Sequence, residues 1–172
     1  MSAWRHVGAI GLLPGVVTVL VPALIVWSGE AEHVGWRLPS ELAVLPPLLG
    51  AALIGLGLLL IFRTVALFVT VGRGTLAPWD PTSRLVVRGP YRHVRNPMIS
   101  GVLCVLLGEA ALLGSVSLLL WCAAVFAVNA IYMPLVEEPG LGRRFGEDYE
   151  NYRAHVPRWL PRPRPWDPES RG

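Results

Sequence analysis

Met98-Ile-Ser-Gly-Val-Leu-Cys-Val-Leu-Leu-Gly-Glu-Ala-Ala-Leu-Leu-Gly-Ser-Val-Ser-Leu-Leu-Leu-Trp-Cys-Ala-Ala-Val-Phe-Ala-Val-Asn-Ala-Ile-Tyr-Met-Pro-Leu-Val136 carries a single charge, Glu109. At about 1.5 Å of rise per residue this run is too long for one crossing of a hydrocarbon core of roughly 30 Å and long enough for two helices. Gly114 and Ser115 are its natural turn, so the stretch reads as a helical hairpin. The first limb is short for a full crossing, which calls for local bilayer thinning or a loop that dips into the membrane ahead of it.

Two further uncharged stretches lie upstream, Val7 to Trp27 and Leu42 to Phe62, each long enough to cross. Pro14 and Pro22 predict kinks in the first. The resulting fold class is an all-α polytopic membrane protein with about four transmembrane helices, the last two a hairpin, followed by a cytoplasmic C-terminal helix and a Pro-rich tail. That tail holds Pro157, Pro161, Pro163, Pro165 and Pro168, cannot be helical, and is expected along the surface. The chain is expected to divide into residues 1–73, an N-terminal transmembrane helix pair, and residues 74–172, the cytoplasmic loop, helical hairpin and C-terminal tail. The chain is 53% hydrophobic and 16% charged, with a mean hydropathy of +0.50, which is too apolar for a soluble globule.

All 15 basic residues are arginine, which excludes Walker-type phosphate binding and Schiff-base lysine chemistry. Cys104 and Cys122 both sit in apolar runs, and no HExxH or strand-borne GxGxxG occurs, so no disulfide framework, metal site or soluble dinucleotide fold is expected. With four spans, fourteen of the fifteen arginines fall on one side and only Arg37 on the other. The positive-inside bias then puts both termini and the long central loop in the cytoplasm, at an inner membrane. The sequence pI near 9.3 reflects a belt facing anionic lipid headgroups, not nucleic-acid binding.

A hairpin returns its ends to one side, so the segments flanking it must be neighbours. The basic one runs from Thr82 to Met98 and the acidic one from Val136 to Tyr152. Arg92, His93 and Arg95 facing Glu137 and Glu138 are either interfacial salt bridges or a polar pocket for a ligand with a cationic centre. Several residues read blandly. Glu109 lies close enough to Gly114 to reach outer headgroups, Phe145, Tyr149 and Tyr152 form a packing stripe, and Gly11 to Gly15 is a weak helix-packing signal. Trp27, Trp36, Trp79, Trp159 and Trp166 read as interfacial anchors, while His6, His33 and His155 are too scattered for a metal site.

The run Gly89-Pro-Tyr-Arg-His-Val-Arg-Asn-Pro-Met-Ile-Ser-Gly101, followed by a hairpin, Glu137-Glu138, Phe145-Gly146, Tyr149, Tyr152 and Val156-Pro157-Arg158, resembles the isoprenylcysteine carboxyl methyltransferase and phospholipid methyltransferase superfamily. The resemblance spans roughly Gly74 to Pro161. It implies an integral membrane enzyme that uses S-adenosylmethionine to methylate a lipophilic acceptor. Carried over by position, it implies cofactor contacts from Arg84, Leu85, Val86, Tyr91, Asn96, Pro97, Met98, Ile99 and Glu137. His93, Arg95 and Glu138 are the catalytic candidates: an ammonium acceptor must lose a proton before attack, which calls for a group such as His93 or Glu138, and Arg95 suits the cofactor carboxylate. Pro97 is expected at the first position of the hairpin helix with Asn96 as its N-cap. The family's Arg-His-Pro-x-Tyr motif stands here as Arg95-Asn96-Pro97-Met98-Ile99, with Asn96 for His and Ile99 for Tyr. Asn-Pro-Met with Gly101 and Glu-Glu-Pro is similar to the phosphatidylethanolamine branch. Met133 stands where the prenylcysteine branch has a substrate-contacting arginine, so carboxyl O-methylation is the alternative, and a small non-enzymatic membrane protein or transporter using Glu109 is the reading from another class.

Overall fold

The computed structural model describes residues 14–29, 36, 38–68, 70 and 85–167. Every regular element among them is helical: α1 (Val16–Trp27), α2 (Leu45–Leu67), a 3-10 turn (Gly89–Arg92), α3 (Pro97–Leu113), α4 (Val116–Phe145) and α5 (Glu147–His155). Two of them, α2 and α4, are long and apolar enough to cross a bilayer, and α1 and α3 are apolar but shorter. The expected hairpin is α3 and α4. Gly114 takes the left-handed conformation (φ 63°, ψ 30°) that ends α3, and the Ser115 hydroxyl accepts the Leu118 N–H at 3.3 Å to begin α4.

The tightest packing is between α2 and α3. A Cβ placed on Gly50 would lie 2.7 Å from the Gly108 carbonyl oxygen, and one on Gly57 would lie 2.5 Å from that of Gly101. The two helices are therefore antiparallel and touch backbone to backbone at points two turns apart, which only glycine allows. Thr64, two turns beyond Gly57, is fully buried and continues the stripe. These three are the only buried residues of α2, and Leu48, Leu49 and Phe62 on its other faces are 57–70% exposed. A helix that is apolar all round yet mostly uncovered needs lipid as its solvent. The packing thus rests on glycines other than the expected pair: Gly11 lies outside the described residues, and Gly15 has no neighbour within 4 Å of a built Cβ.

Prolines shift the hydrogen-bond register in both α1 and α4. In α1 the Val21 N–H bonds to the Val16 carbonyl, five residues back, and Pro22 has no N–H to offer Val17. The Val17 carbonyl takes the Trp121 indole N–H instead, at 3.0 Å, which docks α1 on α4. A carbonyl stranded in an apolar medium is costly, so this bond fixes which face of α1 meets the hairpin. Trp36 satisfies a second carbonyl, at the corner of the hairpin itself, donating to Ala111 at 2.8 Å. Glu109 stands about one turn from that corner, with its Oε2 buried and unpartnered among the described residues.

Candidate functional site

The apolar part of α4 ends at Val136, but the helix does not. It continues through Glu137, Glu138, Arg143 and Arg144 to Phe145, and Gly146 (φ 52°, ψ −129°) then turns the chain into α5. Between Pro134 and Pro139 the register is again one residue long. The Glu138 N–H bonds to the Met133 carbonyl, and Pro139 cannot serve Pro134, whose carbonyl gains no partner from its own helix.

Consecutive helical residues point about 100° apart, and the two glutamates accordingly meet different neighbours. Glu138 is 5% exposed and ringed by arginines. Arg158 grips it with two bonds, Nε to Oε1 at 2.6 Å and Nη2 to Oε2 at 2.8 Å; Arg95 Nη1 donates to Oε1 at 2.9 Å; Arg153 Nε lies 3.7 Å from Oε2. Burial alone would raise this carboxyl, but the hydrogen bond from Arg158 and the charges of Arg95, Arg158 and Arg153 outweigh it and hold the group below the usual carboxylate range. Glu137 is half-buried and makes no hydrogen bond or ion pair among the described residues. Burial, and then the neighbouring Glu138 charge, push its carboxyl upward. It faces Tyr91, whose hydroxyl is pushed well up by burial, then by Tyr152 and by Glu137 itself.

The two flanking segments do converge. Besides the Arg95 to Glu138 pair, the Tyr152 hydroxyl donates to the Tyr91 carbonyl at 2.7 Å. Tyr149, Tyr152 and Val156 form a buried cluster against Leu85, Val87, Leu141, Phe145 and Trp166, so the tyrosines are core, as their spacing suggested. Trp166 belongs to this cluster, stacked on His155 with ring centroids 5.3 Å apart, and is not a free interfacial anchor. The tail is non-helical but pinned: the Arg95 N–H bonds to the Pro157 carbonyl, Arg162 N–H to His93 carbonyl and Trp166 N–H to Arg92 carbonyl. Arg92 adds a bond to the Trp166 carbonyl and an ion pair with Asp167. His93 faces this strap, its Nδ1 2.8 Å from the Arg162 carbonyl oxygen. A carbonyl can only accept, so Nδ1 carries the proton and Nε2 is left with the lone pair of the neutral ring.

At the start of α3, Pro97 is fully buried at the first helical position and Asn96 is the N-cap residue. The Asn96 side chain makes no capping bond; its Nδ2 is buried without a partner among the described residues, as is the Nε of Arg95. Ser100 N–H returns to the Asn96 carbonyl, which leaves the Met98 and Ile99 N–H groups as the open donors of this helix end. Buried donors without acceptors are rare, and two on consecutive residues at a helix start form a set of polar groups that a ligand can satisfy. Leu85 and Val86 pack their side chains inward, and their backbone groups are unpaired among the described residues. Arg84 lies outside the described residues. Sequence reasoning had no signal for the strap, nor for Arg158 as the partner of Glu138.

The family model for phospholipid methyltransferases matches residues 46–148, from the first turn of α2 into α5. No curated protein matches the chain.

Proposed function

Because the chain belongs to the phospholipid methyltransferase family, and is a membrane methyltransferase by that membership, we propose that it transfers methyl groups from S-adenosylmethionine to a lipid amine at the cytoplasmic face of an inner membrane. The observation that carries this reading is the open polar set at the start of α3, with Asn96 Nδ2, Arg95 Nε and the Met98 and Ile99 N–H groups as donors; on this reading Glu137, next in sequence to the Arg95-bound Glu138, supplies the acceptor. When bound, S-adenosylmethionine supplies a methyl group on an already activated sulfonium.

The donors suit a carboxylate, which a helix N-terminus also favours, and the Glu137 carboxylate suits an ammonium or a ribose hydroxyl. The chain's remaining tasks are to align the acceptor, keep water out and remove one proton from an ammonium headgroup. Glu138 is a poor base because three arginines stabilise its charge, and its work is to orient Arg95. Glu137 is kept for the cofactor on this reading, so His93, whose Nδ1 donates to the Arg162 carbonyl and leaves Nε2 as an acceptor, is the group that takes the proton. Tyr91, Leu85 and Val86 line the approach. On this reading the chain crosses the bilayer four times with both termini in the cytoplasm, residues 1–73 forming the supporting pair and 74–172 the catalytic region.

Reconstituted protein given methyl-labelled S-adenosylmethionine and membrane lipids tests the proposal. Base-stable label in an amine headgroup is expected. Base-labile label marks esterified carboxylate and the prenylcysteine-type reaction, and no transfer from folded protein counts against methyl transfer altogether.

A further inference from the structure

The strap reaches deeper than its composition suggests, and α4 supplies the ruler. Phe126 precedes Glu137 by three turns, about 16 Å at 1.5 Å per residue, and follows Val116 by about 15 Å, which puts it midway along the apolar part of the helix. The Trp159 ring packs on Phe126 with centroids 5.2 Å apart. Its neighbour Arg158 extends the other way, to Glu138. This is how an arginine beside a buried aromatic behaves at a membrane: the guanidinium climbs to the polar layer while the adjacent apolar group stays below.

Three observations give this segment a fixed depth. The Arg95 to Pro157 and Arg162 to His93 backbone bonds pin it on both sides, so Trp159 and Leu160 sit between two anchors. Leu160 is 81% exposed, like Val128, Ile131 and Leu135 on the outward face of α4, which are 62–70% exposed. Finally, α3 starts at Pro97, two residues after Arg95, and its 17 residues cover only about 25 Å. A hydrocarbon layer of roughly 30 Å is spanned at α3 only if the loop and strap ahead of it fill the remaining depth.

We infer that Trp159 and Leu160 form a lip inserted into the bilayer hydrocarbon beside α4, below the level of Glu137 and Glu138. The partner is the acyl region of the membrane. Arg158 joins the lip directly to the Glu138 cluster, so on the reading that the acceptor is a lipid the lip stands beside the acceptor's route from the bilayer. The strap lies beyond the stretch matched by the family model.

The test needs no methyl transfer, so it fails or succeeds independently of the proposed activity. The full chain is reconstituted in phosphatidylethanolamine and phosphatidylglycerol vesicles with a nitroxide at Leu160→Cys, and with references at Val128→Cys on the outward face of α4 and Glu150→Cys on the exposed face of α5. Collision with oxygen relative to a water-soluble nickel chelate should match the Val128 site; a ratio matching the Glu150 site overturns the inference. If labelling disturbs the fold, Trp159→Phe gives a second reading. The fluorescence lost in that variant should be the component quenched by lipids brominated at mid-chain, and a lost component quenched instead by aqueous iodide overturns the inference.

Discussion

Substituting Glu138→Gln keeps the shape of the side chain and removes the charge that holds Arg95, Arg158 and Arg153 together. Glutamine can still accept one hydrogen bond, but it cannot accept the Arg158 fork and the Arg95 bond as an anion. Breaking a buried ion pair costs about 3–5 kcal/mol. Arg158 and Arg153 remain 26% and 48% exposed and recover some hydration, so about 2–4 kcal/mol is the expected cost here. The loss should be local, because α2 and α3 do not depend on this cluster. Hydrogen exchange in detergent reads it directly at the strap amides of Arg162 and Trp166, which bond to the His93 and Arg92 carbonyls. At tenfold per 1.4 kcal/mol their exchange should accelerate roughly 30- to 700-fold, with the amides of α2 and α3 unchanged. The folded-state carboxyl is held below its ordinary range, so its contribution is full above the unfolded value and disappears as pH falls through the lowered folded one. The gap between wild type and Glu138→Gln should therefore be constant near neutrality and narrow only below about pH 4.3, the unperturbed carboxyl value. Acceleration of less than threefold at neutral pH would refute the reasoning that this ion cluster holds the strap.

The glycine contact gives a matched pair: Gly57→Ala meets backbone atoms at 2.5 and 2.9 Å and should destabilise the protein by about 1–3 kcal/mol in denaturant unfolding, whereas Gly55→Ala meets nothing within 4 Å and should be neutral or slightly stabilising. Trp121→Phe strands the Val17 carbonyl, at an expected cost of about 1 kcal/mol in the same assay, and speeds amide exchange in α1. Tyr152→Phe leaves the buried Tyr91 carbonyl unpaired and should cost about 1–3 kcal/mol, seen as faster exchange at Tyr91 and His93.

The hairpin was legible in the sequence because charge and hydropathy are one-dimensional signals: a run with only Glu109 in it, broken by Gly114-Ser115, admits few other folds. The meeting of Arg95 with the glutamates followed from topology alone. Which glutamate it would meet did not follow, because Glu137 and Glu138 differ only in helical phase, and the proline-shifted register between Pro134 and Pro139 changes that phase. The glycine seam was available to be read, as Gly50 with Gly57 and Gly101 with Gly108 repeat at the same spacing on successive apolar runs, whereas Gly11 to Gly15 drew attention through a shorter motif. The backbone bonds of the strap left no sequence signal, since every residue carries a carbonyl and every residue but proline an N–H. Asn96 is the N-cap residue, as its type suggested, but only the geometry shows that its side chain makes no capping bond and that its Nδ2 is buried without a partner among the described residues.

The central claim is that Arg95, Asn96 and Glu137 form the open end of a cofactor site, and calorimetric titration of the detergent-purified chain with S-adenosylhomocysteine tests it most directly. The account predicts binding to the wild type and a loss of tenfold or more in both Glu137→Ala and Asn96→Ala, with folding of each verified by unchanged amide exchange in α2. Wild-type affinity in both variants, or no binding by the folded wild type, would contradict it.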